Sequence, residues 1–82
     1  MKFRPIPSPF PEMRLVGAKV REYSFIISID DGEYRASWKN HRHDVTPFGK
    51  QLSNFIDGSP FKTFEAAYEA CKATYKQLRS KQ

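Results

Sequence analysis

The side chains best suited to chemistry gather in the middle of the chain: Arg35, Lys39, His41, Arg42, His43 and Lys50, with Asp44 the one acid among them. His41-Arg42-His43-Asp44 spaces imidazole and carboxylate at alternate positions, which on a strand point the same way and suit a metal ion. A site would need a third protein ligand from elsewhere, Arg42 sits between the two histidines, and no companion cluster exists in the sequence. No metal is expected. What guanidinium and ammonium groups do without a metal is hold phosphate. There is no glycine-rich phosphate loop and no nucleophile motif. Cys71 is the only cysteine, so no internal disulfide can form. A non-enzymatic protein without a cofactor is expected.

Charge points the same way. Lys and Arg number 14 against 9 acids, for a net charge of +5, and an excess of this size favours polyanions through counterion release. Asp30, Asp31 and Glu33 collect at one place, which a polyanion would avoid. The candidate nucleic-acid contacts are therefore Arg35, Lys39, Arg42 and Lys50, with DNA or RNA as the ligand.

Positioning these residues falls first to a hairpin over 22–30 and 33–40. Tyr23, Phe25, Ile27 and Ile29 alternate with Ser24, Ile26, Ser28 and Asp30, the period of a half-buried strand. Asp31-Gly32 then fits a two-residue type I′ turn, whose central residues need positive φ. That turn pairs Asp30 with Glu33, Ile29 with Tyr34, Ile27 with Ala36 and Phe25 with Trp38. The large apolar residues of these pairs then share one face. The other face sets Ser28 beside Arg35, Ile26 beside Ser37 and Ser24 beside Lys39, and it is polar and cationic.

A helix over 63–80 is the second element. Phe64, Ala67, Tyr68, Cys71, Tyr75 and Leu78 make one apolar stripe that would cover the hairpin's apolar face. Thr63 is the expected N-cap, and Glu65 suits the positive end of the helix dipole. Lys72, Lys76, Arg79 and Lys81 suit its C-terminal end, so they need no ligand to explain them. Cys71 on this stripe reads as a small core residue.

The remaining segments are less regular. Pro5, Pro7, Pro9 and Pro11 recur at every second position, which makes 1–12 an extended or polyproline II arm and bars it from any central strand. Phe3, Ile6 and Phe10 would strap it across the domain; the rival is a flexible arm carrying Lys2 and Arg4 toward a partner. Met13 to Val20 reads as a strand with apolar parity on Val16, Ala18 and Val20, opposite to the parity that starts at Tyr23. A third antiparallel strand or a long, bent first strand would account for the change. For 44–58 two readings stand: a short helix capped by Thr46 and Pro47 and ended by Gly58, or a loop followed by a strand from Gln51 to Ile56.

The fold expected is α+β: about three antiparallel strands packed on a C-terminal helix, in a single domain over 13–82 preceded by the arm. At 82 residues it holds one modest core and little room for an enclosed cavity. The chain has no apolar run long enough to span a membrane, and its start lacks the apolar centre of a signal peptide, so a cytoplasmic protein is expected.

Phe61-Lys62-Thr63-Phe64-Glu65-Ala66-Ala67 resembles the Phe-x-Thr-x-Glu-Ala-Ala opening of the helix in plant ethylene-response DNA-binding domains and phage integrase arm-binding domains. The resemblance implies a sheet laid into a DNA groove, and the arginine pattern of those families' sheets is not matched here. Two functions of different class follow. One is a nucleic-acid-binding module using the cationic sheet face. The other is a protein-interaction module, an adaptor or an inhibitor of a larger assembly, docking through the arm or through Phe48, Phe55 and Phe61.

Overall fold

A computed structural model of the chain describes residues 1–8, 12–40 and 54–80. In it the hairpin forms in the expected register: β3 (Tyr23–Asp30) pairs with β4 (Glu33–Asn40), from Asp30 opposite Glu33 to Tyr23 opposite Asn40. Asp31 (φ 51°) and Gly32 (φ 75°) both take left-handed backbone, as a type I′ turn demands.

The parity change before Tyr23 is a tight turn. A third antiparallel strand, β2 (Arg14–Val20), ends where Val20 pairs with Tyr23, and the chain reverses through Arg21 and Glu22, with Arg21 at φ 58°. A two-residue reversal switches the apolar set from even to odd numbers while keeping it on one face. Val16, Ala18 and Val20 consequently lie opposite Ile27, Phe25 and Tyr23.

The sheet has five strands, not about three, in the order β1-β2-β3-β4-β5. Both added strands are short edges. β1 (Arg4–Ile6) comes from the proline-rich segment, where Pro5 pairs with Val16 at a sheet edge, the position that tolerates a residue without an N–H. Phe10 lies outside the described residues. β5 (Asn54–Phe55) sets Phe55 opposite Ser37 and Asn54 opposite Trp38. For 54–56 this corrects the helical alternative and realises the end of the expected strand. The rest of that segment, with Thr46, lies outside the described residues.

After β5 the chain stays pinned to β4. Ile56 N–H donates to the Ala36 carbonyl at 3.0 Å, and Tyr34 and Phe61 exchange backbone hydrogen bonds at 3.0 and 2.7 Å. Ala36 N–H also donates to Ser59 Oγ at 3.1 Å.

The helix α1 (Phe64–Ser80) starts one residue after Thr63, whose Oγ1 accepts the Ala66 N–H at 3.1 Å. This is the N-cap bond expected at that position. Its stripe closes one face of the sheet. Phe25, Ile27 and Ala36 from the sheet and Ala67 and Cys71 from the helix are fully buried. The two alanines let the helix backbone approach closely, and aromatic side chains fill the rim: the Tyr75 ring meets Phe25 and Tyr23 edge-on, each at 6.1 Å. Phe3 extends this layer beyond β1, edge-on to Phe64 at 5.9 Å and Tyr68 at 5.8 Å, and Tyr68 Oη donates to the Met1 carbonyl at 3.2 Å.

Candidate nucleic-acid interface

With α1 on one face, the strand registers dictate what the opposite face carries. Three rows cross it. Ile6, Leu15, Ser28 and Arg35 form the row nearest the hairpin tip; Arg4, Gly17, Ile26, Ser37 and Phe55 form the middle one; Lys19, Ser24 and Lys39 form the last. No described helix covers this face. Its described charges are cationic apart from the tip, where Asp30, Asp31 and Glu33 are exposed, and from Asp57, exposed near Phe55 and Arg35 at the β5 edge.

Lys2, Arg4, Lys19 and Lys39 surround a shallow depression of about 810 Å³ whose floor includes Gly17, Ile26 and Ile6. Gly17 contributes no side chain, and Ile6 leans over it: a Cβ at Gly17 would sit 3.5 Å from Ile6 Cδ1. Lys19 and Lys39 flank Ser24 from the two neighbouring strands, so their Cα atoms stand roughly 10 Å apart across the sheet. Two ammonium groups at that separation repel each other weakly and attract any chain of negative charges laid between them.

Arg35 differs from the lysines, because its Nη2 donates to Glu33 Oε2 at 2.7 Å. Both side chains are about half exposed, so the pair is screened and costs little to separate. On the helix, by contrast, Lys72 and Arg79 lie over the rings of Tyr68 and Tyr75 at 5.5 and 5.8 Å. Those cations are already engaged in packing.

The site expected from sequence is thus half visible. Arg35 and Lys39 stand on the open face, and Arg42 and Lys50 lie outside the described residues, as does the His41-Arg42-His43-Asp44 run. Among the described residues no group of three or more His, Cys, Asp or Glu is arranged to hold a metal ion. Sequence reasoning left Lys19 unassigned, although its position between Ala18 and Val20 on β2 already implies the face opposite the core. It treated Arg4 as part of the arm, because its strand contains a proline.

Phe55, named from the sequence only as a candidate anchor for a protein partner, joins this face through β5. It is 73% exposed, the one large exposed hydrophobic side chain among the described residues, whereas its neighbour Ile56 is 7% exposed and part of the core. A helix would have set these two side chains about 100° apart; the strand sets them on opposite faces. The open face thereby gains an aromatic ring that Tyr34 and Trp38, packed against the core cluster, do not supply.

Cys71 is fully buried, and burial pushes its thiol up from 9.0 to about 12. It holds its proton at neutral pH, as a thiol buried in apolar surroundings does. No described helix is long and apolar enough to cross a membrane. No known protein family, curated protein or solved structure matches this chain.

Proposed function

We propose that this protein is a non-enzymatic nucleic-acid-binding module that engages its ligand through the open face of the sheet. The observation that carries this reading is the set of basic side chains on that face, the exposed Arg4, Lys19 and Arg35 and the half-buried Lys39 with Lys2 beside them, on the side away from the helix. Such a set recruits polyphosphate by releasing counterions. The acidic hairpin tip bounds the footprint and directs the ligand across the strands at the far end, where Lys19 and Lys39 stand. Arg42 and Lys50 extend the basic sequence beyond Lys39 and belong to the proposed contacts.

The test is a binding titration read by fluorescence anisotropy over a range of salt. The logarithm of affinity should fall linearly with the logarithm of salt, with a slope of roughly −0.7 to −0.9 for each phosphate engaged, hence about −3 for four contacts. Lys19→Glu/Lys39→Glu should abolish binding without moving the melting temperature. Affinity indifferent to salt, or retained by that double variant, overturns the reading.

One observation favours a protein-interaction module instead. Ile6, Leu15 and Ile26 form a half-buried apolar strip across three neighbouring strands of the same face, and Phe55 stands at its edge. A partner protein carrying acidic side chains around an apolar centre would match that strip and its basic surround.

A further inference from the structure

The open face combines two features that a purely electrostatic duplex binder does not need. One is an apolar floor, Ile6 and Ile26 around the side-chain-free position of Gly17. The other is the solvent-facing ring of Phe55. We propose that the ligand is an unpaired polynucleotide strand, with one base stacked on Phe55 and its neighbours laid over the Ile26 floor; this rests on the nucleic-acid reading of the same face.

The ring is held out by backbone, not by chance of rotamer. Phe55 pairs with Ser37, and the next residue is locked by the Ile56 N–H to Ala36 carbonyl bond. A turn of side-chain facing would require breaking that pairing. Ser37 is small, and among the described residues no larger side chain of the middle row stands between the Phe55 ring and Ile26. Arg35 and Lys39 follow at two positions either side on the same strand, each about 7 Å along β4. They stand where the phosphates flanking a stacked base would pass.

From Phe55 the middle row runs through Ser37, Ile26 and Gly17 to Arg4, a span of roughly 19 Å for four strand spacings. Along it, apolar surface lies at the centre and Lys2, Arg4, Lys19 and Lys39 lie at the margin. A single strand has the same division, with π-faces available to one side and phosphates to the other, and stacking on an aromatic ring is tolerant of sequence. A duplex hides its base faces and offers charged backbone and hydrated groove edges, against which Phe55, Ile6 and Ile26 would lose water contact without a partner.

The experiment titrates fluorescein-labelled oligonucleotides of about 12 nucleotides, within the roughly 4–16 that small single-strand-binding sheets cover. Single-stranded DNA, single-stranded RNA and the matching DNA duplex are compared for the unaltered protein, Phe55→Leu and Phe55→Trp. Phe55→Leu keeps an apolar side chain at an exposed position and removes the ring, so the fold is retained, and circular dichroism checks this. The expected result is single-strand binding at least tenfold tighter than duplex binding. Phe55→Leu should weaken single-strand binding by roughly tenfold and leave duplex binding unchanged, while Phe55→Trp keeps affinity. The DNA and RNA arms report which sugar the face prefers. Equal affinity for duplex, or no effect of Phe55→Leu, overturns the single-strand inference and leaves phosphate binding by the face intact. Absence of binding to all three probes at low salt overturns both readings.

Discussion

The two faces of this sheet are built from the same strands, residue by residue, and are put to opposite uses. Phe25 is fully buried beneath Tyr75, while Ile26, its chain neighbour, lies half-exposed on the floor of the basic depression. Ile56 completes the core and Phe55 stands in solvent. On the covered face, apolar area removed from water holds the domain together. On the open face, the exposed Phe55 and the half-buried Ile26 are left uncovered by the described residues.

The sharpest way to break this contrast is to truncate neighbours. Phe25→Ala leaves a cavity against Ile27 and Tyr75 and should cost about 3–5 kcal/mol, a large share of the roughly 4–12 kcal/mol expected for a domain of this size. Ile26→Ala should cost about 1 kcal/mol or less, because its surroundings are already open to water. Urea denaturation of both variants measures the difference directly. Comparable costs would mean that the open face is a second core, covered by residues outside those described.

The covered face also carries a titratable group, and pH separates the faces a second way. The Cys71 thiol is raised in the folded protein from 9.0 to about 12. A raised folded-state value means that the native state holds the proton more tightly than the unfolded chain does. The stabilisation is therefore complete below pH 9 and is lost as pH climbs from about 9 towards 12. By pH 10 the loss should be about 1.4 kcal/mol. Comparing the unaltered protein with Cys71→Ala between pH 8 and 10 isolates this contribution from other alkaline titrations, and parallel curves would mean that the thiol reaches water.

The lid that divides the faces depends on a single hydroxyl at its start. Thr63→Ala removes the acceptor of the Ala66 N–H, leaves an unpaired donor in the first turn, and should lower stability by about 1 kcal/mol in the same urea experiment. Thr63→Ser should restore most of it. Nucleic-acid affinity should be unchanged in both, since the cap lies on the covered side.

What was legible in the sequence follows from how many residues repeat a signal. The β3–β4 register could be counted because Asp31-Gly32 supplies a turn and alternate residues of the eight on each side agree on one face. The helix was legible because six stripe residues and Thr63 concur. Arg35 and Lys39 inherited that certainty, as they sit within the counted hairpin. β1 and β5 were not legible, since strands of three and two residues are too short to show a period, and proline in β1 argues against a strand unless the edge is known. Phe55 belongs to β5, so the aromatic part of the site is visible only once Ser37 is seen beside it. A helix and a strand both bury Ile56; they disagree about Phe55.

The smallest stability effect sharpens the comparison most finely, because it should change function while hardly touching the fold. Glu33 holds Arg35 at 2.7 Å, with both side chains about half exposed to solvent. An ion pair so exposed contributes little, and Glu33→Gln should shift stability by no more than about 0.5 kcal/mol. The same change frees the Arg35 guanidinium and removes one negative charge from the margin of the open face. Affinity for single-stranded DNA should then rise several-fold at low salt, and the gain should shrink as salt is raised, because an exposed charge acts over a Debye length of only about 10 Å at 0.1 M. Asp31→Asn removes the same charge from the exposed tip without freeing Arg35 and should give a clearly smaller gain, which ties the effect of Glu33→Gln to the guanidinium and not to net charge. An equal gain in Asp31→Asn would show that Glu33 acts on the ligand through the field at the hairpin tip, and would move the boundary of the footprint away from Arg35 toward Lys19 and Lys39.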